Sequence, residues 1–199
     1  GTEGMSYPVS DELIARLYAH PLHITESDLV ALWTLRDERD SEIRCAYMNI
    51  VTDLYAKHFS GNIGRWCCER GVQYIGHIIE DMNCHTHLGL GPGHYFKSQT
   101  GQNMAGIDIV LHQLEPGFNE LRHLAPISDG YADPEFFDHT LSALAFSEAY
   151  IDPYKEGKSM CEIFGAYGWG LDITKMKWLL DMMLVGGINH FVPHAFCPN

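Results

Sequence analysis

Two glutamates stand where short, apolar, β-rich runs end. Glu80 follows Val72-Gln73-Tyr74-Ile75-Gly76-His77-Ile78-Ile79, and Glu162 lies in Met160-Cys161-Glu162-Ile163-Phe164. A carboxylate so placed is costly to bury unless it has partners or a task. Two facing one cavity can divide acid and base work, because different surroundings push their pKa values apart. The plainer alternative is that each caps a loop or pairs with a cation. Recurrence at corresponding strand ends favours chemistry, and Glu80 and Glu162 are the candidate catalytic pair. Asp81, beside Glu80, points to the other face if the strand continues, and reads as a supporting or substrate-side group.

Histidines collect around the same strand end: His77, His85, His87 and His94, with Cys84 in Cys84-His85-Thr86-His87. An H-x-H pair near a carboxylate could ligate zinc, but the spacing matches no strong metal motif. Histidines also serve as hydroxyl partners in sugar pockets. His77, His112 and His190 are therefore read as substrate contacts, and His194, after Pro193, as a satisfied core or loop histidine. Tyr167 and Trp169 follow the Glu162 run, and aromatic faces there can stack on the C–H face of a sugar ring. Trp66 and Trp178 fall on apolar helix stripes and are assigned to core. No G-x-S-x-G turn occurs and Cys161 sits inside an apolar run, so serine and cysteine nucleophiles are poor candidates.

The elements that must position these groups can be read from periodicity. Ser10-Asp11-Glu12 and Glu26-Ser27-Asp28 open two short helices. From Ser41 the apolar residues Ile43, Tyr47, Ile50, Val51 and Leu54 recur at helical spacing, continuing to Trp66 and Cys67, with a glycine C-cap at Gly71. Four strands follow: Val72–Ile79, Met104–Leu111, Met160–Phe164 and Gly187–Val192. Between them, Asp133 with Pro134 opens one helix and Asp172 caps another. Strand and helix alternate with crossovers long enough for right-handed βαβ units, which predicts a parallel α/β sheet.

No GxGxxG turn or Walker A sequence supports an open nucleotide-binding sheet. Polar groups instead gather after strand ends, as at the mouth of a (β/α) barrel of TIM type. A complete eight-stranded barrel needs about 250 residues, so 199 residues with four strands predict only part of one. The expected organisation is a helical lead-in or lid over 1–42 and a barrel segment over 43–199.

Composition narrows the function classes. Acidic residues outnumber basic ones 26 to 13, giving a formal charge of −13. That field repels phosphate backbones and anionic membranes, which excludes nucleic acid and membrane surfaces and suits a neutral substrate. No stretch approaches the roughly 20 apolar residues of a membrane span. Six cysteines without a CxxC pair read as reduced thiols beside apolar residues. A bacterial cytoplasm, periplasm or exterior all stay open, with no signal peptide in this chain.

Three blocks carry a family resemblance: Tyr74–Asp81, Met104–Asp108 and Met160–Trp169. They resemble glycoside hydrolase family 106, the bacterial α-L-rhamnosidases. The helix Phe136–Tyr150 with Ile151-Asp152-Pro153, and Gly187–His190 to Pro193-His194, are similar too. The resemblance spans residues 43–199, and its most specific piece is Cys161–Trp169. It implies a (β/α)₈ catalytic domain in a longer polypeptide, hydrolysis of terminal α-L-rhamnosides with inversion, and often a bound calcium. Glu80 would then be the general acid, and Glu162 either the partner carboxylate or a ligand of the ion. An inverting pair stands about 6.5–9.5 Å apart, a retaining pair about 5–5.5 Å. The expected partners are a carbohydrate and the remaining barrel residues, or a second copy across an exposed sheet edge. A metal-dependent hydrolase and a non-catalytic carbohydrate-binding remnant are the competing classes.

Overall fold

Helices begin where a side chain can take up their first free amides. A computed structural model describes residues 7–78, 85, 87–117, 122–123 and 131–194. Ser10 caps α1 (Asp11–Tyr18) by accepting from the Leu13 amide. Asp37 caps α2 (Glu38–Leu54) through the Asp40 amide. A 3₁₀ helix, Glu26–Leu32, lies between them, closed by a capping box of Thr25 and Asp28. Leu13, Leu17, Ala31, Ile43, Tyr47 and Ile50 bury against one another as one cluster. The first 42 residues thus share a core with α2, which itself spans the expected boundary at 42/43.

After α2 the helix loosens to π geometry over Tyr55–Ser60 before α3 (Gly61–Cys68). A Cβ on Gly64 would lie 2.3 Å from the Gly101 carbonyl oxygen, so α3 presses its backbone directly on that loop. Trp66, expected in the core, is exposed, with the Arg70 guanidinium 4.2 Å from its ring centroid. Cys45 and Cys68 are exposed as well, against the expectation of buried thiols. Among the described cysteines only Cys161 is buried. No helix among the described residues is long and apolar enough to cross a membrane.

The short helix α4 (Tyr95–Ser98) precedes β1 (Ala105–Ile109). A minimal antiparallel pair, β2 (Arg122–His123) and β3 (Tyr131–Ala132), interrupts the next connection. A π-helical turn, Phe136–Thr140, leads into α5 (Leu141–Ile151), and β4 (Ser159–Ile163) follows. Asp172 caps α6 (Ile173–Val185) through the Lys175 amide, and β5 (His190–Pro193) ends the fold. The three longer strands form one parallel sheet in the order β1-β4-β5. Ile107, Ile109 and Ile163 pack with Leu141 and Ala145 of α5 and Leu179 and Met183 of α6. Both faces of β1 are buried, Asp108 included.

This corrects the barrel. The sheet has three parallel strands, and among the described residues nothing pairs with the outer edge of β5, so no closed or TIM-type barrel is formed. Alternation of strand and helix dictates parallel pairing but not closure. The expected strand Val72–Ile79 is also not a ladder strand over its described residues, 72–78. It runs beside β1 with the Asn103 amide donating to the Tyr74 carbonyl and the Asn103 side chain accepting from the Tyr74 amide. Gly106 then lets the backbones touch: a Cβ on it would lie 1.7 Å from the Gly76 oxygen.

One buried cation ties the sheet to its surroundings. Lys155 is fully buried, and its Nζ donates to the carbonyls of Gln99 (2.9 Å) and Gln102 (3.2 Å). Glu148 and Asp152 carboxylates stand 3.7 and 3.6 Å away. Burial pushes the lysine below its ordinary value and Glu148 above its own.

Candidate active site

β4 is the central strand, and Glu162 is its penultimate residue. Parallel register sets Asp108 of β1 and Val192 of β5 directly beside it, and register partners share a face. Asp108 is buried, while the Glu162 side chain is 30% exposed. Two carboxylates on neighbouring strands thus lie side by side near the C-terminal end of the sheet. In parallel sheets that end is where binding crevices form.

Two histidines close on Glu162. The His194 amide donates to the Ile163 carbonyl at 2.8 Å, carrying the ladder one step past β5. Its ring then places Nδ1 2.7 Å from Glu162 Oε1. With Glu162 a carboxylate, which only accepts, Nδ1 carries the proton and Nε2 is the ring's basic nitrogen. From the other side His77 Nε2 lies 3.5 Å from Glu162 Oε2 and 3.9 Å from Asp108 Oδ2. His77 Nδ1 donates to the Ile78 carbonyl at 2.7 Å, which fixes how the ring faces the two carboxylates. Gly165 makes room for this arrangement. A Cβ there would meet His194 Nδ1 at 2.9 Å and Val110 Cγ1 at 2.7 Å.

The backbone around the site is strained. Leu111 and His112, just past β1, have φ of 57°, and past β4 Phe164 and Ala166 have φ of 83° and 57°. Left-handed geometry in a non-glycine residue costs about 1–3 kcal/mol and collects at active sites and ligand clamps. Four of them at one edge of one sheet mark that edge. The two exits are tied together by the Leu111 amide donating to the Gly165 carbonyl at 2.8 Å.

A second polar group occupies the β1 exit. His112 Nδ1 stands 2.6 Å from Glu115 Oε1, and Lys175, in the first turn of α6, donates to the same oxygen. Burial alone would raise the Glu115 carboxyl. The hydrogen bonds from Lys175 and His112 outweigh it and hold the group below its ordinary value. The His112 ring lies 4.7 Å from the Tyr167 ring, with Lys175 Nζ 5.0 Å from the same centroid.

Of the residues singled out in the sequence, His77 and Glu162 meet and His112 sits at the same sheet edge. Glu80 and Asp81 lie outside the described residues, as does Cys84. Tyr167 is buried, and its hydroxyl donates to the Leu114 carbonyl at 3.0 Å, so it braces the loop instead of offering a face. Trp169 is 95% exposed and does offer one. His190 is paired with Met160 at the start of β5, two residues back from the site, and bonds Asn189. His194, read as a loop histidine, is Glu162's hydrogen-bond partner. Asp108 was passed over, although an aspartate inside Met104–Leu111 was the signal that a buried charge sat in a strand. Glu115 and Lys175 left no local trace, being 60 residues apart.

Among the described residues no group of three or more His, Cys, Asp or Glu is placed to hold an ion. Calcium takes six to eight oxygens, whereas the groups around Glu162 include two imidazoles, so the described donors do not fit that ion. His85 is buried with its ring 6.4 Å from Phe136 and stacked on it, a packing role. No family model, characterised protein or solved structure matches the chain.

Proposed function

We propose that the chain is a hydrolase of glycosidic bonds in which Glu162 takes the proton of the attacking water. The observation that carries the reading is the His77–Glu162–His194 arrangement at the C-terminal end of the central strand, with Asp108 alongside. Glu162 Oε1 is held by His194, which fixes the carboxylate's orientation. The partly exposed side chain keeps the group within reach of substrate and water. A second group must protonate the leaving oxygen, and the resemblance of Tyr74–Asp81 assigns that step to Glu80. Water adds to the anomeric carbon as the glycosidic C–O bond breaks, so the sugar is released as its hemiacetal and the leaving group, protonated on oxygen, as an alcohol.

A neutral sugar suits a chain of charge −13, and the exposed Trp169 can stack on a sugar ring beside β4. Terminal α-L-rhamnosides are the substrates that the resemblance implies. The test is release of nitrophenol from a panel of nitrophenyl glycosides, α-L-rhamnoside included, by the chain and by Glu162→Gln. Turnover that vanishes in the variant supports the reading and names the sugar. Equal turnover in both refutes the assigned role of Glu162.

A further inference from the structure

We infer that His112 is a specificity-determining residue that reads a hydroxyl group of the bound sugar through Nε2, with Glu115 and Lys175 as its positioning residues. This rests on the glycosidase reading for its substrate class and on separate geometry for its argument.

The argument starts from what holds the ring. Glu115 is a carboxylate, held so by Lys175 and by His112 itself, and it can only accept. His112 Nδ1 therefore carries a proton and is committed to Glu115. That leaves Nε2 as the ring's second nitrogen, on a side chain that is 42% exposed. Carboxylate–imidazole pairs of this kind fix tautomer and orientation together. Tyr167 backs the ring at 4.7 Å, while its hydroxyl both donates to the Leu114 carbonyl and lies 3.3 Å from the Leu114 amide. The segment between His112 and Glu115 is thereby clamped from beneath.

Location supplies the rest. Leu111 and His112 hold two consecutive left-handed conformations, a costly way to turn a chain unless its direction matters. That turn is bonded to the Gly165 carbonyl, and Gly165 in turn abuts His194 Nδ1. One glycine therefore separates the His112 turn from the Glu162–His194 pair. His112 and Glu162 thus lie at the adjoining C-terminal exits of β1 and β4, where one hydroxyl-bearing ring can meet both. A neutral imidazole nitrogen accepts from O–H and offers nothing to a ring position that lacks one.

Two substitutions separate this from a purely structural role. Asn places its amide near Nδ1 and can keep the Glu115 bond while losing Nε2. Gln places its amide near Nε2 and can keep the substrate contact while losing Glu115. At pH 8, His112→Asn is expected to raise KM or weaken sugar binding about tenfold, and His112→Gln, which keeps the contact but loses its positioning by Glu115, to impair binding less. The reverse order, Asn tolerated and Gln impaired, would overturn the inference. Binding of free monosaccharides from the same panel, followed by ligand-observed NMR, gives a readout that needs no turnover. Sugar bound without turnover, and weakened only by His112→Asn, would keep His112 while rejecting the hydrolytic role. Neither binding nor turnover of any sugar would overturn both.

Discussion

Gly76 and Gly106 touch backbone to backbone, with the space a Cβ on Gly106 would need falling 1.7 Å from the Gly76 carbonyl oxygen. This contact seats the segment 72–78 on β1, and the segment delivers His77 to Glu162. Gly106→Ala should lower stability by about 1–3 kcal/mol, the usual range for overpacking, read as a reduced urea midpoint. Because the segment must lift to admit the methyl group, glycoside turnover should fall as well. An unchanged midpoint would show that the two backbones separate freely.

Glu162→Gln should reduce turnover by about 10²–10⁴-fold, the range for loss of a general base. The far-ultraviolet circular dichroism should match the parent, since the substitution is isosteric and the side chain is partly exposed. His194→Gln should lower kcat by less and shift the pH–rate profile, because His194 acts through Glu162 Oε1.

Lys155→Met should destabilise by about 3–5 kcal/mol, since it strands the carboxylate of Glu148 and the carbonyls of Gln99 and Gln102. Chemical denaturation at neutral pH measures it. Its acidic partner predicts a pH trend. Glu148 has a folded pKa above the ordinary 4.5, so the native state binds more protons than the unfolded chain in that window. Stability contributed by Glu148 is therefore fully present below 4.5 and declines as pH rises through the folded value. Glu148→Gln should flatten that decline.

Asp40 predicts the opposite slope in acid. Hydrogen bonds from the Arg36 guanidinium hold its carboxyl at about 2 against an ordinary 3.8. The native state then binds fewer protons, so the contribution is complete above 3.8 and lost as pH falls through about 2. Asp40→Asn should unfold less steeply than the parent as pH drops across that interval, followed by helical circular dichroism.

Where local chemistry decides structure, the sequence was readable. Asp172 and Ser10 cap the helices assigned to them, and the run around Glu162 is the central strand. Reading failed where a distant neighbour decides. Nothing within Val72–Ile79 reveals that Gly106 waits opposite Gly76 and replaces a ladder with a backbone contact. Nor does strand–helix alternation say whether a sheet closes, and here it stops at β5. Glu162 and His77 stood out because polar groups at strand ends are conspicuous. His194 did not, since its identity as a partner depends on a ladder bond to Ile163 that only the folded sheet creates.

The strand order β1-β4-β5 also has a bearing on how the chain is made. The middle strand of the sheet is the second of the three to be synthesised, and β1 finds its first partner only about fifty residues later. At roughly 5–20 residues per second on the ribosome, β1 waits several seconds for its ladder partner, with only earlier segments such as 72–78 seated on it. The helical cluster of Leu13, Ile43 and Tyr47 needs no such wait, because all its members are already out. Emergence of Ser159–Ile163 thus supplies the ladder partner of β1, and the same strand carries Glu162.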